Sequence, residues 1–174
     1  GDRCALLADN DIRWCAAYLG ILRLGAVVVP LDTTYLAPQV RRVLDDCQAG
    51  LILASGRHVD TARDAVRAMA QPPGVVLLSG SQPGVHCLDA LLAGPDAGDL
   101  APCPAIESDP AVLAYTSGTT DDPKGVILTH GNLLAEQHGA LSAVRVYEHD
   151  AILGVLPLFH VLAQASNLFL PFAA

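Results

Sequence analysis

Residues 111–129 read AVLAYTSGTTDDPKGVILT, and they are the most informative segment of the chain. Two apolar, β-rich runs flank a loop with four hydroxyl side chains, two glycines and Lys124. Hydroxyls, bare backbone N–H groups and a lysine suit phosphate oxygens, and glycine lets the backbone approach a ligand closely. A Walker-type loop is excluded, because Lys124 follows Pro123 and precedes Gly125 instead of Ser or Thr. The composition alone is equally typical of a polar turn, so the order of the residues has to decide.

Outward from this loop, strand-like and helix-like patterns alternate along the chain. Asn10 is expected to cap the first helix, Gly25 to stop it, and Gly50 to close the second. Alternation of this kind predicts an α/β fold, a mostly parallel sheet with helices on both faces. The predicted strands are residues 4–8, 26–31, 51–54, 75–78, 111–115, 126–129 and 152–156, and the predicted helices 10–24, 36–47, 59–70 and 132–144.

Residues 82–109 differ from the rest because they are rich in proline and glycine. Such a composition predicts a long surface connection, with a short helical turn at 88–92. We interpret it as a loop within one domain, residues 1–174, and not as a boundary between two domains.

Composition excludes several classes of protein. Hydrophobic residues make up 52% of the 174 positions and charged ones 16%, which is too apolar for a disordered chain. The net charge of −8, without a basic cluster, argues against nucleic-acid binding. Five widely spaced cysteines and scattered histidines provide no metal-ligand spacing, and they indicate a reduced, cytoplasmic protein without a metal site.

One stretch of the sequence is a candidate for a transmembrane segment. Residues 151–174 contain no Asp, Glu, Lys or Arg and are long enough to span a bilayer. We do not expect a transmembrane segment, because apolar runs are also typical of buried α/β elements and several polar groups or prolines here are costly in lipid. These are Pro157, His160, Gln164, Ser166, Asn167 and Pro171.

Residues 115–126 resemble the signature of the adenylate-forming superfamily, Tyr-Thr-Ser-Gly-Thr-Thr-Gly-x-Pro-Lys-Gly-Val, at every specified position except Asp121. Residues 24–32, LGAVVVPLD, resemble the segment upstream of this signature in the family. Residues 156–160, LPLFH, are similar to the downstream segment of acyl-CoA synthetases and related CoA ligases. The resemblance therefore favours the acyl-CoA synthetase branch, and it implies part of the large N-terminal, AMP-binding domain.

The resemblance implies a ligase that uses ATP and Mg²⁺ to activate a fatty or aryl carboxylic acid as an acyl-adenylate, and then transfers the acyl group to coenzyme A. His160 and Lys124 are the catalytic residues it implies, with His160 also beside the acid substrate. It implies no metal ligand in this chain. The residues implied to hold the ATP phosphates are Thr116, Ser117, Gly118, Thr119, Thr120, Lys124 and Gly125.

Two departures from the family pattern leave a second hypothesis open. Asp121 puts a carboxylate where the signature has glycine, and its charge opposes phosphate binding. The family's later motifs for adenine, ribose, magnesium and the catalytic lysine do not follow, so we expect a fragment that is inactive without the rest of the parent chain. The alternative is a degenerate, non-catalytic binding module of the same fold.

Overall fold

The computed structural model describes residues 2–95, 98, 101, 103–116 and 124–173 of the chain. Its strands form a seven-stranded sheet in the order β5-β4-β3-β1-β2-β6-β7. Every neighbouring pair is parallel except β6 and β7, which are antiparallel, so the mostly parallel α/β sheet is confirmed. The strands are β1 (Arg3–Leu7), β2 (Val27–Pro30), β3 (Leu51–Ala54), β4 (Gly74–Leu77), β5 (His86–Cys87), β6 (Pro110–Thr116) and β7 (Lys124–Thr129).

Helices connect most of the parallel strands, as the alternating pattern predicts. The last helical stretch is continuous from 161 to 173, with a π-helix, Gln164–Phe169, between two short α-helical turns. The α-helices are α1 (Ile12–Arg23), α2 (Ala37–Cys47), α3 (Val59–Val66), α4 (Leu88–Leu92), α5 (His130–Ala143), α6 (Val161–Ala163) and α7 (Leu170–Ala173).

Helices cover both faces of the sheet, because successive strand residues point to opposite sides. On one face Ala5 and Leu7 of β1 pack with the apolar sides of α2 and α3. On the other face Leu6 packs with Trp14 and Tyr18 of α1. Residues of α5 and of the C-terminal helical stretch join that second cluster. The connections after β1 and β2 therefore leave the sheet on opposite faces.

The ends of the first two helices differ from the sequence prediction. Asp11, and not Asn10, caps α1, since its side chain accepts a hydrogen bond from the backbone N–H of Arg13 at 2.8 Å. Gly25 does follow α1 with φ +69°, a conformation that favours glycine. α2 ends at Gln48, which adopts the left-handed conformation expected of Gly50.

The predicted strand at residues 152–156 is wrong. All of these residues lie in the described part of the chain, and they are exposed and form no strand. Their backbone is engaged by a side chain and not by a neighbouring strand, because the amide of Asn10 donates to the carbonyl oxygens of Leu156 at 2.9 Å and Gly154 at 3.4 Å. A short apolar run does not specify the partner that a strand requires.

Residues 82–109 contain one element that the sequence did not predict. β5 pairs with β4 in parallel and forms an edge of the sheet, and it leads directly into α4 at the predicted residues 88–92. β5 is only two residues long, so it carries no alternating pattern that could have identified it.

Candidate functional site

A cavity of about 280 Å³ lies at the carboxyl ends of β2 and β6. In open α/β sheets, ligands commonly bind in a crevice outside the carboxyl ends of the strands. The cavity brings together three segments that are far apart in sequence. Its lining residues are Pro30, Asp32, Tyr35, Ala114, Tyr115, Thr116, Phe159, His160 and Val161.

β6 and β7 form the hairpin that holds the phosphate-loop candidates. Thr116 ends β6 opposite Lys124, the first residue of β7, and both are exposed. The two strands therefore hold residues 116 and 124 side by side at the two ends of the loop. Ser117, Gly118, Thr119, Thr120 and Asp121 lie outside the described residues.

Gly125 has a steric reason to be glycine. It lies opposite Tyr115 in the hairpin, and a Cβ atom at this position would be 2.9 Å from Leu113 Cδ1 and 3.2 Å from Tyr115 Cζ. Both contacts are tighter than ordinary van der Waals distances. The missing side chain thus makes room for the Tyr115 ring beside the cavity.

Tyr115 forms a side-chain hydrogen bond to α2. This bond was not predicted from the sequence. The Tyr115 phenol donates to the carboxylate of Asp46, although the two residues are 69 positions apart in the chain. Burial, and then this hydrogen bond, raise the pKa of Tyr115 far above its ordinary value, so the phenol remains neutral. Nothing local in the sequence identifies Asp46 as the partner of Tyr115, because only the fold brings the two residues together.

Asp32 contributes a carboxylate to the cavity wall. One of its oxygens, Oδ1, accepts hydrogen bonds from the backbone N–H of Thr34 at 2.8 Å and from the Thr34 hydroxyl at 2.7 Å. The turn after β2 thereby orients the side chain. Asp32 stood at the end of the quoted segment 24–32, but sequence reasoning gave it no site role.

His160 lies at the cavity beside Phe159, with 4.3 Å between the two ring centroids. It precedes α6, and its backbone N–H donates to the carbonyl of Pro157 at 3.0 Å. Of the predicted site residues, His160 and Thr116 line this same cavity. Lys124 and Gly125 adjoin it only through the hairpin, as partners of Thr116 and Tyr115.

The described residues contain neither a metal-binding cluster nor a membrane-spanning helix. No group of three or more His, Cys, Asp or Glu side chains in the described ranges is arranged to hold a metal ion. Among the helices of the same residues, none combines the length and the apolar character required to cross a membrane.

Comparisons with known proteins agree with this geometry. The chain is 36% identical over 172 residues to long-chain-fatty-acid–CoA ligase FadD13 of Mycobacterium tuberculosis, covering 97% of this chain and 33% of the ligase. It is 30% identical over 179 residues to crotonobetaine/carnitine–CoA ligase of Salmonella paratyphi A, covering 100% of this chain and 34% of that protein. It therefore spans about a third of the length of these relatives.

A similar structure has also been solved. The inhibitor-bound N-terminal domain of FACL13 from Mycobacterium tuberculosis superposes with a TM-score of 0.80 at 34% identity, over 97% of this chain and 41% of that one. The family model described as AMP-binding enzyme matches residues 1–174. Because this model covers the whole of the sequence given, the chain belongs to the family of AMP-binding enzymes.

Proposed function

We propose that the chain supplies the phosphate-binding and acid-binding end of the active site in an ATP-dependent acid–CoA ligase. The cavity at the carboxyl ends of β2 and β6 is the observation that carries the proposal. Asp32, Thr116 and His160 each come from a different one of the three family-like segments, and all three line it. Independent packing accidents would not be expected to gather three such segments around one cavity.

The reaction we propose has two half-reactions. A carboxylate oxygen of the acid attacks the α-phosphorus of ATP, the bond from that phosphorus to the pyrophosphate oxygen breaks, and pyrophosphate leaves. The thiol of coenzyme A then loses its proton and its sulfur attacks the acyl carbon, which releases AMP and forms the thioester. Binding groups aimed at oxygens that gain charge in these steps lower the barrier.

Charge on the β- and γ-phosphates would be met by the loop between β6 and β7. Lys124 is the only lysine in the 174 residues. It is the first residue of β7, so its ammonium group stands at the end of that loop. Hydroxyls and backbone N–H groups supply the remaining donors. The residues assigned to this role are Thr116, Ser117, Gly118, Thr119, Thr120, Lys124 and Gly125.

His160 is assigned to the acid and the α-phosphate. An imidazole beside the cavity can donate a hydrogen bond to the attacking carboxylate and stabilise charge on the α-phosphate oxygens. The exposed position of His160 at the cavity leaves its ring accessible to a substrate. We therefore assign it a catalytic role together with Lys124.

The acid, the metal and the location of the parent enzyme are part of the proposal. We take a fatty or aryl acid as the substrate class, and the name of FadD13 favours a fatty acid. Mg²⁺ would accompany the triphosphate, and no residue is assigned as its ligand. We propose the cytoplasm as the location, since all five cysteines lie among the described residues and each one is free.

The proposal is tested by the adenylation half-reaction of the full-length parent enzyme, measured as pyrophosphate exchange. His160→Ala and Lys124→Ala should each lower kcat about a hundredfold, the loss typical when one such group is removed. His149→Ala is a matched control, because His149 is exposed and stacks on Tyr147 away from the cavity lining. Unchanged exchange in both variants would overturn the assignment.

The second candidate is a binding module that no longer catalyses adenylation, and Asp121 is the observation that favours it. Its carboxylate replaces the glycine of the signature at the triphosphate site. The same experiment separates the two: a full-length protein that binds ATP but shows no exchange with a panel of fatty and aryl acids would favour this module.

A further inference from the structure

The backbone around His160 is held by two side chains. Residues 151–160 are described and form no helix or strand. Asn10, which follows β1, accepts a hydrogen bond from the N–H of Leu158 at 2.7 Å and donates to the carbonyl of Leu156 at 2.9 Å. Gln164 donates to the carbonyls of Leu158 at 3.0 Å and Phe159 at 3.3 Å. Four backbone groups within four residues are thus bound immediately before His160.

The side chain of Gln164 is itself held in place by a buried hydrogen bond. Its side-chain oxygen accepts a hydrogen bond from the Tyr18 hydroxyl at 2.9 Å, and both residues are almost fully buried, at 1% and 0% exposure. Burial raises the pKa of Tyr18, so its hydroxyl remains protonated and able to donate. A buried polar pair whose hydrogen bonds are all made is rigid, because an alternative arrangement would leave a donor or an acceptor unpaired.

Two further observations indicate that Asn10 and Gln164 do more than fill the core. Asn10 is exposed, so its hydrogen bonds to residues 154–158 are not required to satisfy a buried side chain. In addition, Gln164 begins the π-helix Gln164–Phe169, a conformation that is rare and occurs mostly near functional sites. Both side chains engage backbone groups that precede His160, and the N–H of Gln164 also donates to the carbonyl of His160 at 3.1 Å.

We propose that Asn10 and Gln164 are positioning residues, and that together with Tyr18 they hold the backbone at 156–160 so that the His160 imidazole stays at the cavity beside Thr116. This inference rests on the proposed role of His160 in adenylation. Loss of the clamp, defined as the side chains of Asn10, Gln164 and Tyr18, leaves the imidazole present but badly placed. The expected effect is a lower kcat with little change in the KM for ATP, whose β- and γ-phosphates are assigned to the loop between β6 and β7.

The test uses the full-length enzyme and four variants, namely Asn10→Ala, Gln164→Leu, His160→Ala and the control Ser166→Ala. Ser166 is matched to Gln164, because it lies in the same π-helix and its hydroxyl also bonds a carbonyl, that of Leu162 at 2.9 Å, outside the clamped backbone. Asn10→Ala removes only an exposed side chain, so it keeps the test valid if Gln164→Leu fails to fold.

The first readout is hydrogen exchange of the backbone N–H groups of residues 158–160, which does not depend on catalysis. Asn10→Ala and Gln164→Leu should speed their exchange about tenfold, as expected when such hydrogen bonds are lost, whereas Ser166→Ala should leave it unchanged. Unchanged exchange in both clamp variants would overturn the clamp, whatever His160 does.

The second readout is a double-mutant cycle on the kcat of pyrophosphate exchange. Each clamp variant should lower kcat about tenfold alone but cause little further loss when His160 is already alanine, because it acts through that residue. Additive losses would overturn the positioning role. If His160→Ala alone leaves kcat unchanged, the proposed function of His160 fails and with it this role, while hydrogen exchange still decides whether the clamp exists.

Discussion

At the scale of single residues, the hydrogen bond from Tyr115 to Asp46 joins the loop end of the β6–β7 hairpin to α2. Tyr115→Phe should lower the free energy of unfolding by about 1 kcal/mol, the usual net value of one hydrogen bond. The control is Tyr147→Phe, the same change in an exposed ring that stacks on His149. Urea denaturation compares the two variants, and equal effects would contradict the prediction.

The burial of Tyr115, together with the same hydrogen bond, predicts a pH dependence. In the folded chain the pKa of Tyr115 lies above its ordinary value of 10.0, so the folded state keeps a proton that the unfolded state has already lost. Stability should therefore be constant below about pH 10 with respect to this group and fall as the pH rises further. The slope should be smaller in Tyr115→Phe, and an identical slope would argue against a raised pKa of Tyr115 in the folded chain.

Asp121 is the residue that departs from the family signature, because it places a negative charge where the signature has glycine. Under the proposed function, a carboxylate ~4 Å from a phosphate charge would weaken triphosphate binding by about 1 kcal/mol in water and ~4 kcal/mol at an effective dielectric of 20. In the parent enzyme, Asp121→Gly should therefore tighten MgATP binding about tenfold or more, and less at high ionic strength. Asp122→Gly is the control, since the signature accepts any residue there. Weaker MgATP binding in Asp121→Gly would instead indicate that the carboxylate meets magnesium.

At the scale of elements, two glycines around α1 should respond to the same substitution in opposite directions. Gly20 lies inside the helix with open space around its missing Cβ, so Gly20→Ala should stabilise the chain by about 0.5–1 kcal/mol. Gly25 has φ +69° and its Cβ would be 2.5 Å from Cys103 Sγ, so Gly25→Ala should destabilise it by about 1–3 kcal/mol. Thermal denaturation of both variants checks the prediction, which fails if the signs agree.

The elements also indicate how far sequence reasoning could reach. Strands and helices with a clear period or a fully apolar run were predicted well, as at Leu51–Ala54 and Leu88–Leu92, whose bounds agree with the structure. Residues 152–156 were predicted wrongly, because an apolar run does not reveal whether its backbone pairs with a strand or, as here, with Asn10.

The candidate site was predictable only in part for a similar reason. His160 and Thr116 could be identified because each stands in a recognisable segment. Asp46 and Gln164 could not be, because their partners are Tyr115 and the backbone of Leu158 and Phe159, which only the folded topology brings close. The roles of the predicted site residues remain predictions that the variants above test.

At the scale of the whole molecule, the chain exposes apolar side chains along one sheet edge and the 152–156 segment. Ile127 on the edge strand β7 is 61% exposed, and Leu153 and Val155 are 83% and 71% exposed. Such surface attracts hydrophobic dyes and promotes self-association. The 174-residue chain should therefore bind an anilinonaphthalene dye in its folded state.

The contribution of the 152–156 segment to this dye binding can be isolated. Replacing Leu153 and Val155 together by serine should lower the dye fluorescence clearly while the melting temperature changes little, because neither side chain is buried. Ile12→Ser, at an equally exposed position on α1, should lower it much less, since a single exposed apolar residue forms no patch. Equal reductions would contradict the prediction.

The sheet order has a consequence for how the chain acquires its structure. The β6–β7 hairpin joins residues close in sequence, whereas its docking on β2 pairs Val28 with Val112 across a long loop of chain. Local contacts form quickly and distant ones slowly, because closing a long loop costs more entropy. We therefore expect the hairpin to form early as a unit and the cavity, which needs β2 beside β6, to be among the last features completed during folding.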